Sequence, residues 1–110
     1  MQQPEKRAEP RVAVSFPGTL TLGGDAPVPC EIQNMCSRGF LIKHGRELPV
    51  GQLVRLTCEL YPGEFVECTV QVRHVNRVSL GARVIDMNEA GKAICQRYLD
   101  EQRAAGRGRP

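Results

Sequence analysis

From Val12 onward, apolar and polar positions alternate with the two-residue period of a half-buried strand. The first run is "VAVSFPGTLTL" (12–22), in which Pro17-Gly18 predicts a bulge or an edge kink. "GGDAP" marks a turn and "VPCEIQNM" a second strand; after Ser37-Arg38-Gly39 comes a third, "FLIK". A loop punctuated by Gly and Pro runs through "HGRELPVG", and "QLVRLTCEL" alternates again. "YPGE" is a hairpin turn, and "FVECTVQVRHV" and "SLGARVID" bring the strands to six. The period then changes: "DMNEAGKAICQRYLDEQRAA" has an Asn88 cap, Glu89 in the first turn, and Ala90, Ile94 and Tyr98 at helical spacing. These elements predict a mainly β, antiparallel domain with one C-terminal helix over an open side or end. Six strands on such short links leave edges that closure into a small barrel protects.

The flanks differ in composition. Residues 1–11 carry two prolines, three basic groups and two acids but almost no apolar side chains, which predicts a tail that is mobile when free. The barrel and helix are expected over 12–104, and 105–110, ending "GRGRP", as a disordered basic tail. At 110 residues the chain has the size of one domain with one core. No apolar run approaches the ~20 residues of a membrane span, and "MQQPEKRAEP" has no signal-peptide core, so the expected location is cytoplasmic and away from membranes.

Composition narrows the chemistry. Cys30, Cys36, Cys58, Cys68 and Cys95 form neither a C-x-x-C pair nor a Cys/His cluster with ligand spacing, so they are read as reduced, mostly core thiols rather than metal ligands. The net charge is only +3, but 12 of the 15 basic residues are Arg, the side chain whose planar fork grips phosphate and stacks on flat rings. An anionic, planar partner fits that bias. The acids are scattered over turns and polar strand faces, and neither His has a nucleophile or an orienting carboxylate, so no enzyme is expected. Arg73, His74 and Arg77 read as a solvated face of one strand, and Gly81 as a bulge or close-packing position. With no Trp, two Tyr and three Phe, a stacking platform for nucleic-acid strands is hard to build.

An Arg-x-x-x-Arg pair recurs at Arg7/Arg11, Arg73/Arg77 and Arg103/Arg107, so spacing alone selects none of them. Hairpin register does: with a turn near Gly24, the end of the second strand returns beside Val12 and makes Arg11 and Asn34 neighbours. The first pair therefore faces "NMCSRG", where Asn34 offers an amide donor and acceptor and Gly39 permits close approach. In this order, "RAEPR" before the first strand and "NMCSRG" after the second resemble the R-x-x-x-R and (D/N)-x-S-x-x-G motifs of PilZ domains, the bacterial receptor modules for cyclic di-GMP. The resemblance runs from about Arg7 into the helix, and "LGARVIDM" is similar to the family's last strand.

The resemblance implies a six-stranded PilZ-type barrel that binds cyclic di-GMP without a cofactor. Arg7 and Arg11 would fold over the ligand and clamp guanine edges and phosphates. Asn34 would bind a guanine or the phosphodiester, and Gly39 would keep the strand-to-strand turn tight. Cys36 stands where the family has Ser; a hydrogen bond to a charged group is worth about 1.5–3 kcal/mol and a thiol keeps part of it, so the expected loss is about tenfold. Ser37 would point to the other face by strand alternation. The signal would pass to an unidentified downstream protein, and nothing in the residues selects one ligand per chain over two. The alternatives are a PilZ module that has lost its ligand through Cys36 and only binds protein, and a small barrel binding nucleic acid through Arg73, Arg77 and Arg103 to Arg109. Equally, Asn34 and Gly39 could merely connect strands in left-handed turn conformations.

Overall fold

The computed structural model describes residues 11–44 and 48–105. The expectations placed on residues 1–10, on the loop at 45–47 and on 106–110 lie outside the described residues. Six strands, β1 (Val12–Thr21), β2 (Val28–Cys36), β3 (Gly39–His44), β4 (Leu53–Tyr61), β5 (Glu64–Val75) and β6 (Ser79–Met87), precede one helix, α1 (Glu89–Ala104). The strands form a closed antiparallel barrel in the order β1-β2-β3-β6-β5-β4, with β4 pairing back onto β1.

Rows of paired residues across the barrel explain which side chains make its core. Val12, Met35, Phe40, Ala82 and Val72 are successive partners across β1, β2, β3, β6 and β5, and none is more than 6% exposed. They point inward, and burying a large aliphatic or aromatic side chain in this way stabilises by about 1.5–3 kcal/mol. One step along each strand the side chains turn outward. Ala13, Asn34, Leu41, Gly81 and His74 form one outer row, and Cys36, Gly39, Arg83 and Gln71 another.

The interruption in β1 falls ahead of the expected Pro17-Gly18. Register shifts between Ala13 and Phe16, whereas Pro17 pairs with Glu31 and Gly18 begins the pairing with β4. Pro17 thus lies just outside the stretch paired with β4, where its missing N–H has no ladder position to fill. Gly18 is required by contact: a Cβ there would lie 2.9 Å from the Thr57 carbonyl oxygen, where β1 and β4 close the barrel.

The helix begins as expected, with Asn88 Oδ1 accepting the Gly91 N–H at 2.8 Å, but it is rotated by one residue. Gly91, Cys95 and Leu99 are buried, whereas Ile94 and Tyr98 are half-buried and Ala90 is exposed. Packing decides this: a Cβ on Gly91 would be 2.9 Å from Met87 Cγ, so the backbone of the first turn sits directly on the barrel. Tyr98 meets Phe16 and Tyr61 edge-on, each at 5.7 Å, and Arg97 lies 4.1 Å over the Tyr61 ring while pairing with Glu64 at 2.8 Å. These contacts fix α1 to the β4–β5 hairpin. The five cysteines are free thiols; Cys36, Cys58, Cys68 and Cys95 are buried and Cys30 is half-buried.

Candidate functional site

The β1–β2 register brings the two sequence motifs together. Ala13 pairs with Asn34, so Arg11, one residue before the strand, reaches back over β2, and its Nη1 donates to Asn34 Oδ1 at 3.2 Å. The ladder between β2 and β3 also shifts by one residue between Ile32 and Asn34. That extra residue lets Ile32 and Met35 both face the core while Asn34 stays at the surface. Arg7 lies outside the described residues.

Beside this pair opens a cleft of about 460 Å³ lined by Arg11, Cys36, Arg38, Gly39, Arg73, His74, Gly81, Ala82 and Arg83. Four guanidiniums surround it, and among the described residues no carboxylate lines it. Elsewhere Arg55 is matched with Glu67, Lys92 with Glu89 and Arg97 with Glu64. Among the described residues, none of the four cleft arginines is so matched. A concavity walled by one sign of charge concentrates counter-ions, and the planar fork suits phosphate and purine edges. Such a cleft can hold a compact polyanion.

Cys36 and Gly39 are Cα partners on β2 and β3, and both line the cleft with Arg11. Cys36 is 9% exposed and also borders an apolar cavity of about 220 Å³ between the barrel and α1, lined among others by Phe40, Met87 and Cys95. Neither Asn34 nor Gly39 adopts a left-handed conformation. Gly39 is demanded by contact instead, since a Cβ would lie 2.3 Å from the Ala82 carbonyl oxygen on β6. Asn34 is half-buried and stands behind Arg11 rather than in the wall of the cleft. Ser37 belongs to the two-residue turn between β2 and β3, not to an opposite strand face, and it lines the apolar cavity rather than this cleft.

Sequence reading missed Arg38, Arg83 and the pair Arg73-His74. Register shifts by one residue between Val72 and His74, so two consecutive residues of β5 emerge at the surface and both line the cleft. Arg77 parts from them, because it sits in the β5–β6 turn, so the three do not share one strand. A signal for Arg83 existed: in "LGARV" it shares alternation with Gly81. Choosing that face required knowing that β3 pairs with β6 in a ladder from Gly39↔Arg83 to Lys43↔Ser79, far beyond the reach of any hairpin rule.

Among the described residues no helix is long and apolar enough to cross a membrane, and no His, Cys, Asp or Glu group is arranged to hold a metal ion. No curated protein matches the chain by sequence. Solved structures do match by shape. The Bacillus subtilis inhibitor of motility (MotI/DgrA) superposes with a TM-score of 0.79 at 13% identity, over 93% of this chain and 53% of that one. This chain therefore spans about half the length of that protein. The PilZ domain of CeSA from a cellulose-synthesizing bacterium superposes with a TM-score of 0.64 at 11% identity, over 87% of this chain and 97% of that one. At these identities the likeness shows the fold, a closed six-stranded antiparallel barrel with a C-terminal helix. The PilZ domain family model matches residues 5–101, nearly the whole of that barrel and helix, and the chain belongs to the PilZ domain family.

Proposed function

We propose that the chain is a non-catalytic cyclic di-GMP receptor acting in the cytoplasm, with Arg7, Arg11, Asn34, Cys36 and Gly39 at its ligand site. The observation that carries this reading is the hydrogen bond from Arg11 to Asn34 at the edge of a cleft whose described lining holds four arginines and no carboxylate. Phosphates enter where the guanidiniums converge. The segment bearing Arg7 closes over the ligand, because charge-assisted contacts then offset its ordering entropy. The altered surface is read by a downstream protein; no cofactor takes part, and nucleic acid is not the partner.

Calorimetric titration of cyclic di-GMP into the intact protein and into Arg7→Ala/Arg11→Ala, at physiological salt, tests this. Micromolar or tighter binding that vanishes in the variant is expected. Heat-silent titration of the intact protein would leave the second reading, a PilZ module that only binds protein, which the buried thiol at Cys36 favours.

A further inference from the structure

We propose a second binding site, between the barrel and the start of α1, for a small amphiphilic anion: an apolar body of about eight carbons carrying one carboxylate. The site goes beyond the receptor reading and does not depend on it. Along β6 the arginine cleft takes Gly81 to Arg83 and the new site Arg83 to Met87, so Arg83 stands between them together with Arg38.

Helix α1 packs mainly on β5 and more lightly on β1 and β4. Its first turns stand off from the part of the barrel made by β3, β6 and the β2–β3 turn. The gap is the apolar cavity of about 220 Å³, walled by Phe40, Val84 and Met87 from the barrel and by Cys95 from the helix. Phe40, Met87 and Cys95 are at most 9% exposed, so the deep wall is buried carbon and sulfur. Protein interiors hold few voids larger than a water molecule, and this one is several times that size. A wall of this chemistry lacks the polar partners that fix a buried water and favours an apolar occupant. An apolar cavity of about 150 Å³ accepts benzene, so this larger one has room for a chain of about eight carbons.

The mouth of the cavity sets the polar end of the ligand. Ser37, Val84, Met87 and Lys92 line both this cavity and a neighbouring polar cleft of about 420 Å³, so the two are continuous. The cleft adds Arg38, Arg83 and Asp86, which with Lys92 makes three cations to one carboxylate. Lys92 also pairs with Glu89 at 3.3 Å, so the surplus positive charge rests on the two guanidiniums. The Val84 N–H donates to the Arg38 carbonyl oxygen at 2.7 Å, which ties the β2–β3 turn to β6 and holds Arg38 beside Arg83. An apolar chamber that opens under a cationic rim matches a carboxylate on a short apolar body. A two-chain lipid is too large for it.

The test titrates octanoate into the intact protein, following methionine methyl groups by proton–carbon NMR with a thermal melt alongside. Octanoate should shift the Met87 methyl resonance, leave that of Met35, buried inside the barrel, in place, and raise Tm. Burial of each methylene strengthens binding about fourfold, so hexanoate should bind about 15-fold more weakly. Arg38→Ala/Lys92→Ala should weaken octanoate about tenfold and leave octan-1-ol unchanged. Val84→Phe fills the chamber and should abolish binding of both; if it does not fold, Cys95→Met narrows the same chamber from the helix side. No shift at Met87 with millimolar octanoate would overturn the site. So would affinity independent of chain length, or undiminished in the folded chamber-filling variant. Equal losses of octanoate and octan-1-ol in the double variant would overturn the anionic class. None of these measurements uses cyclic di-GMP, so the receptor reading stands or falls separately.

Discussion

Gly39 on β3 lies so close to Ala82 on β6 that a Cβ would come within 2.3 Å of the Ala82 carbonyl oxygen. The obstacle is backbone, which cannot swing aside, so Gly39→Ala must push apart the two strands that join the halves of the barrel. Overpacking costs about 3 kcal/mol at the upper end of its usual range, a fall in melting temperature of about 10 °C or more for a domain of this size. Differential scanning calorimetry measures it, and an unchanged melting temperature would show that β3 and β6 are not in this register.

Arg11 and Asn34 should be energetically coupled in ligand binding. Each single alanine substitution is expected to weaken cyclic di-GMP binding by about tenfold or more, because charged hydrogen bonds are worth about 1.5–3 kcal/mol. The double variant should lose less than the sum of the two, since Asn34 Oδ1 holds the guanidinium in place. Strict additivity in a double-mutant cycle would mean the two act separately. Arg11→Lys should recover little, because an ammonium cannot reproduce the fork.

Cys36→Ser should raise affinity by about tenfold, restoring a stronger hydroxyl donor at the wall of the cleft. The same change places a hydroxyl beside the apolar cavity at Phe40 and Cys95, so a small drop in thermal stability should accompany it. Unchanged affinity in calorimetry would remove the thiol from any ligand role.

Stability should fall in alkali. Burial pushes the Cys30 and Cys95 thiols up from 9.0 to about 11 and Cys68 to about 12, and raises Cys58 further. Because the folded-state value lies above the unfolded one, the folded chain holds more protons between pH 9.0 and about 11, and stability is lost as pH rises through that window. The midpoint of urea unfolding should drop across it, and substituting Ser for Cys30 should flatten the drop. A midpoint independent of pH there would contradict the burial of these thiols.

The order of six strands and the meeting of Arg11 with Asn34 were legible because both depend on local periodicity and a single hairpin turn. The face of α1 was misread for a physical reason. Ala90, Ile94 and Tyr98 form the same i, i+4, i+8 series as Gly91, Cys95 and Leu99, so periodicity does not separate the two. The closeness of Gly91 to Met87 settles it the other way, and no single-chain periodicity encodes that contact. The floor of the cleft was illegible for a related reason. Arg38, Arg73, His74 and Arg83 converge only when β6 inserts between β3 and β5, and a one-residue register shift turns His74 outward. The arginine bias of the composition did not say which guanidiniums would gather.

Since β4 pairs back onto β1, the hydrogen-bonding ring has no first or last strand. Apart from the Val12–Pro17 end of β1, which lies beyond that pairing, a partner protein would find no strand edge to extend among the described residues, so recognition by addition along a whole edge is closed to it. A protein that reads this domain would then depend on side chains, and its specificity would be free to diverge by substitutions on the outer wall while the barrel beneath stays the same.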